Sequence, residues 1–199
     1  MKHPSSRAFY AYWDSQRGSA RAPERSEIEP HALREHLGDI FVLAYDAPSG
    51  YPFRVAGTRV CALFGRDMKN ASFPALFEPG SRGEIEEIIS AVAEETLPAI
   101  AGLTTATPDG GRAHLELLLL PFQARAHMPI SLTGLLAPFD DCQYTDCQGT
   151  DGRGTDGRGT LGELSITSWR YLHQPERIVP RALRKLAIAR GLMVYEGLR

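Results

Sequence analysis

Residues 39–58 read Asp39-Ile40-Phe41-Val42-Leu43-Ala44-Tyr45-Asp46-Ala47-Pro48-Ser49-Gly50-Tyr51-Pro52-Phe53-Arg54-Val55-Ala56-Gly57-Thr58. Two apolar runs of strand length flank the turn-forming triplet Pro48-Ser49-Gly50, so the stretch predicts a β-hairpin. The first run is apolar at odd and even positions alike. Successive side chains of a strand point to opposite faces, so both faces of this strand must be covered. Pro52 has no N–H for a ladder and suits a strand end or a sheet edge. Gly57-Thr58 then opens a short helix over 59–64, with Thr58 placed to cap it and Gly65 to end it.

Toward the C-terminus, residues 73–77 predict a second helical turn, and the clearest helix spans 82–96. Ile85, Ile88, Ile89 and Val92 give its i, i+3, i+4, i+7 stripe, Ser81 and Glu84 have capping-box spacing, and Pro98 closes it. Strands are predicted at 99–107, 112–122, 130–139 and 161–172, the last with Leu164, Ile166, Ser168 and Arg170 on one parity. Two strands, helices, then further strands make an α+β chain with a mainly antiparallel sheet. That order is not the alternating βαβ of a doubly wound nucleotide-binding fold.

Toward the N-terminus, residues 5–17 predict a helix ended by Gly18, with Phe9, Tyr12 and Trp13 on one face. Pro30, Leu33 and Leu37 predict a helix of two turns before Gly38. Helices packed on one side of a sheet leave its other side bare. The stripe Phe9/Tyr12/Trp13 is the natural cover for it, within its own chain or exchanged across a homodimer.

The 199 residues are 43% hydrophobic and 23% charged, with a formal net charge of −2. That suits one globular domain with appendages, and argues against an overall polycation for nucleic acid. Three Cys do not make a disulfide scaffold and fit a reducing compartment. Met1-Lys2-His3-Pro4-Ser5-Ser6-Arg7 lacks an apolar leader core, and no apolar run approaches the ~20 residues of a membrane span. A cytoplasmic protein without membrane contact is expected. The chain divides into a helical extension (1–38), a central domain (39–173) and a basic tail (174–199). Asp/Gly repeats make 141–160 a flexible loop within the central domain. Between 177 and 199 stand six Lys or Arg and one Glu. Pro180 and Gly191 frame an expected helix there carrying Arg181, Arg184, Lys185 and Arg190.

Three motifs stand out. The first is Tyr12-Trp13-Asp14-x-x-Arg17-Gly18 followed by Pro23-x-Arg25-Ser26-x-Ile28-x-Pro30. The second is Phe53-Arg54-x-Ala56-Gly57-Thr58-Arg59-x-Cys61-x-x-Phe64-Gly65-Arg66, and the third is Glu116-x-Leu118-Leu119-Leu120-Pro121. Over residues 9–172 the chain thereby resembles the bacterial single-domain PAS-like proteins, a family long described only as a domain of unknown function. The resemblance implies a PAS fold, with a five-stranded antiparallel sheet cradling short helices and one longer helix. It also implies a sensory or regulatory role in signal transduction, through a small-molecule ligand or a signalling protein partner. An Arg before the family's Leu-Gly pair is absent at Ile130-Ser131-Leu132-Thr133-Gly134-Leu135, as is a Trp-Leu-Gly segment before the last strand.

Candidate site residues come from both readings. His114 and Glu116, two apart on a strand, share a face with Leu118 and Leu120. They are polar anchors of a pocket, metal ligands, or a hydrogen-bonded pair at a sheet surface. Arg54, Thr58 and Arg59 border the strand-to-helix turn and could hold a carboxylate or phosphate. Alternatively, an Arg there pairs with Glu116 or Asp67 to fix the fold. Cys61 lacks the Asn-Cys-Arg-Phe setting of flavin photosensors and reads as a buried inert thiol. The long helix has no His for haem, and His127, Cys142 and Cys147 lack zinc-site spacing. No cofactor is identified. Walker, Gly-x-Ser-x-Gly, His-Glu-x-x-His and Gly-x-Gly-x-x-Gly motifs are absent. The chain therefore reads as non-catalytic. The alternatives are an unfamiliar enzyme using His114, Glu116 and Asp140, or nucleic-acid binding through the basic tail.

Overall fold

Phe41 and Leu43 bury one face of the predicted first strand completely, and on the other face Ala44 is buried while Ile40 and Val42 are half-buried. The structure is a computed structural model describing residues 1–107, 110–124, 130–139 and 161–172 in full, and the backbone of 185–189 and 192–195. The expectations for 141–160, and for His127, Asp140, Cys142 and Cys147, lie outside the described residues. Strands β1 (Ile40–Ala44), β2 (Phe53–Ala56), β3 (Ala99–Ala106), β4 (Arg112–Pro121), β5 (Ser131–Pro138) and β6 (Leu164–Tyr171) form one antiparallel sheet in the order β2-β1-β5-β4-β3-β6. The resemblance implied five strands; the sheet has six, because the segment after the repeat adds to the edge beside β3. Pro52 does stand at the start of an edge strand.

One face of the sheet packs on α2 (Thr58–Leu63) and α3 (Pro79–Glu94). Phe41, Phe53, Phe73, Phe77, Met68, Ile85, Ile88 and Ile89 are all fully buried there. Phe41, Phe53 and Phe73 pack ring on ring with centroids 5.3–5.5 Å apart, and Phe77 adds to Phe73 at 5.4 Å. Gly134 on β5 makes room for this stack. A Cβ there would stand 2.3 Å from the Phe41 ring.

The other face is covered by α1 (Pro4–Arg17). Phe9 and Trp13 pack on Leu118 and Leu120 of β4, Leu135 and Ala137 of β5 and Ile100 of β3, joined by Ala22 and Leu33. The Trp13 indole donates a hydrogen bond to the Pro121 carbonyl at 2.9 Å, satisfying its polar edge inside the contact. The cover comes from the same chain. Phe9 and Trp13 therefore offer no surface to a second copy; Tyr12 is half-buried, its hydroxyl accepting from the Glu29 amide. Ser6 shares the buried face of α1, and its hydroxyl has no partner.

Four local expectations are corrected. Helix α3 begins at Pro79, three residues before the expected start, because proline suits N1 with its fixed φ and missing donor. Ser81 is then not a cap. Buried against β6, it accepts from the Ile166 amide and donates to Glu78. Thr58 is the first residue of α2, whose N-cap is Gly57 with no side-chain capping bond. The two-turn helix from Pro30 is a single 3-10 turn (Pro30–Leu33), and Leu37 is exposed. In the tail, β7 (Lys185–Ala189) and β8 (Leu192–Tyr195) pair antiparallel where a helix was expected. Ile188 and Val194 are β-branched and favour strands.

Trp13→Ala removes a buried indole and its hydrogen bond, which should cost about 3–5 kcal/mol and lower the melting temperature on the order of 10 °C. An unchanged melting curve would contradict the packing of α1. Gly57 lies against the chain before β1; a Cβ there would meet the Leu37 and Gly38 carbonyls at 2.2 and 2.3 Å. Gly57→Ala is expected to destabilise by roughly 1–3 kcal/mol or more by chemical denaturation. Ser6→Ala, which removes an unpaired buried hydroxyl, should be neutral or stabilising by up to about 1 kcal/mol.

Candidate functional site

Register at β6 determines which side chains reach the part of the outer face that α1 leaves uncovered. Leu164 pairs with Thr105 and Ile166 with Leu103, both facing the helices, but Ser168 pairs with Gly102 on the opposite face. The register shifts between Gly102 and Leu103, leaving Thr167 as an extra residue, a β-bulge. Its hydroxyl donates to the Gly102 carbonyl at 2.8 Å. The single parity expected for Leu164, Ile166, Ser168 and Arg170 is thus broken halfway. Ser168 and Arg170 join the α1 side of the sheet, while Trp169 crosses to α3 and donates to Glu84 at 2.6 Å.

On that outer face, His114 pairs with Thr104 and Glu116 with Gly102, next to Ser168 and Arg170. The helix α1 ends short of this half of the sheet. A cleft of about 580 Å³ opens between its N-terminal residues Met1 and Lys2 and the strands, lined also by His114, Glu116, Ser168 and Arg170. Gly102, having no side chain, leaves its floor low. His114 and Glu116 therefore both line one cleft.

Their states differ. Glu116 is only 4% exposed, and its two carboxylate oxygens accept the Lys2 amide at 2.6 Å and the His3 amide at 3.0 Å. Those bonds tie the start of α1 to β4. His3 continues the attachment, its Nδ1 accepting from the Ser5 amide and its ring edge-on to Phe139 at 5.9 Å. His114 is exposed at the rim, its side chain making no bond to another described residue. Nothing in the local sequence announces the Glu116 contact, which spans more than a hundred residues. The one available signal was a carboxylate embedded in a run of leucines.

The remaining candidates do not join this cleft. Arg59 reaches Asp39, its Nε and a terminal nitrogen each donating at 2.6 Å to a different carboxylate oxygen, and also donates to the Glu35 carbonyl at 3.0 Å. Asp39 is 6% exposed, and its bond holds the Arg59 guanidinium above its ordinary pKa. The partner is neither Glu116 nor Asp67, and the pair clamps the entry to β1 onto α2. Arg54 is exposed on edge strand β2, without an ion pair. Cys61 is half-buried rather than fully buried, and is a free thiol. Among the described residues no cluster of His, Cys, Asp or Glu could hold a metal, and no helix is long and apolar enough to cross a membrane. Sequence reasoning missed Lys2, Ser168 and Arg170, because a bulge and a returning N-terminus place them at the cleft.

No curated protein matches the sequence. Among solved structures, the light-state LOV domain of the blue-light photoreceptor Aureochrome1 is similar at 13% identity and a TM-score of 0.41, over 55% of this chain and 88% of that one. A PAS domain from Colwellia psychrerythraea is similar at 17% identity and a TM-score of 0.38, over 54% and 95%. An RNA-binding light-oxygen-voltage receptor shows 20% identity and a TM-score of 0.40, over 57% and 34%. The family model described as PAS domain matches residues 1–137, which takes in α1 and the strands through most of β5. The chain belongs to the PAS domain family, a family of signal-sensing modules.

Proposed function

We propose that this chain is a sensory, non-catalytic module that takes its small-molecule signal on the outer face of the sheet, in the cleft beside His114 and Glu116. One observation carries the reading. The space between sheet and helices is filled by the Phe41, Phe53, Phe73 and Phe77 rings. The outer cleft, in contrast, gathers unengaged polar groups from β4 and β6. Its size suits a metabolite, since small-molecule sites commonly span ~300–1,000 Å³.

The cleft also borders the element best placed to relay occupancy. Lys2 lines it while its amide holds Glu116, so a ligand there touches the anchor of α1. Output then passes to a signalling protein partner or a second copy of this chain, with the half-exposed Tyr12 side of α1 as contact surface. Against the enzyme alternative, each Glu116 oxygen already accepts a backbone N–H, so among the described residues no free carboxylate stands beside His114. The reading includes neither nucleic-acid binding nor membrane contact.

Native mass spectrometry of the purified full chain is expected to find a bound small molecule that disappears in Ser168→Phe, whose ring fills the cleft. A molecule retained unchanged in that variant would place binding elsewhere and contradict the reading.

A further inference from the structure

We propose that the outer cleft is built for a small organic anion, a carboxylate or phosphate monoester with an apolar body, its charge held by Lys2, His114 and Arg170. The inference rests on the reading of this cleft as a ligand site and adds the chemical class.

The charge count on the cleft wall is one-sided. Lys2, His114 and Arg170 line it, and among the described residues none of the three side chains has an ion pair or hydrogen bond. Among the described residues the one carboxylate lining the cleft, Glu116, is buried with each oxygen already accepting a backbone N–H. Among the described residues a cationic ligand would thus find no free acceptor carboxylate, whereas an anion finds three unpaired donors. Arg170 supplies a planar fork that matches carboxylate or phosphate oxygens. The Ser168 hydroxyl, also without a bond, stands beside it on the same face.

The exposed acids Glu84, Glu86, Glu87, Glu94 and Glu95 belong to α3 and its end, on the opposite side of the sheet from the cleft. Apolar surface completes the site: Met1, Ile100 and the 40% exposed Phe139 are cleft-lining residues able to pack a hydrocarbon body.

Thermal-shift and calorimetric titrations of the full chain with hexanoate, hexyl phosphate and neutral hexanamide test the class. At least one anion should bind more tightly than hexanamide by about tenfold or more, as expected for a charge-assisted bond. That binding should weaken as salt rises. The ratio of hexanoate to hexyl phosphate tells which anion the site prefers. The double variant Arg170→Gln/His114→Gln, its fold checked by circular dichroism, should lose anion affinity by a similar factor. Hexanamide binding equal to hexanoate would overturn the class; if Ser168→Phe abolished both, the cleft would still be the ligand site. Anion binding that survives both the double variant and Ser168→Phe would overturn the class and the cleft together. The same holds if none of the three probes binds the unaltered protein and native mass spectrometry finds no ligand lost on Ser168→Phe.

Discussion

A sheet with apolar side chains on both faces must be closed twice, and the two closures set everything else in this protein. Fully burying one large apolar side chain is worth roughly 1.5–3 kcal/mol relative to leaving it in water. Leu118, Leu120 and Leu135 face away from α2 and α3, so the outer face alone places several such contributions at stake. Phe9 and Trp13 supply that closure, and the bond from the Trp13 indole to Pro121 keeps its polar edge from opposing burial. On the inner face, the rings of Phe41, Phe53, Phe73 and Phe77 do the equivalent work between the sheet and the helices.

Closing the outer face with a 14-residue helix covers only part of a six-stranded sheet. The uncovered part lies over β3, β4 and β6, and the bulge at Thr167 determines its chemistry. Had alternation continued from Leu164, Ser168 and Arg170 would have faced α3 among its glutamates. The extra residue turns them outward and sends Trp169 to Glu84 instead. A single inserted position thus supplies both a tie to α3 and a basic wall for the cleft. Glu116 links the two devices, since the carboxylate lining the cleft is also the acceptor that fixes the start of α1.

Much of this was legible in the residues. The double-parity run at 40–45 required two covers, and the aromatic spacing of Phe9, Tyr12 and Trp13 identified one of them. Strand positions, the edge placement of Pro52 and the shared face of His114 and Glu116 also followed from period and turn chemistry. Other features depended on competition or distance. Pro79 outweighed the Ser81/Glu84 capping pattern, and Gly57 took the cap position offered to Thr58. Arg59 chose an aspartate twenty residues upstream that no helical or strand spacing pointed to. In the tail, Pro180 and Gly191 suggested a helix where Lys185–Ala189 and Leu192–Tyr195 pair as strands. A bulge has no sequence signature strong enough to announce the change of face at β6.

Native-state hydrogen exchange on the full chain tests the two-sided closure most directly. If α1 is an integral layer of the domain, its amides from about residue 8 to 17 should be protected to a level close to that of β4 and β5. Exchange in α1 at the rate of an unstructured peptide, with β4 still protected, would contradict the account.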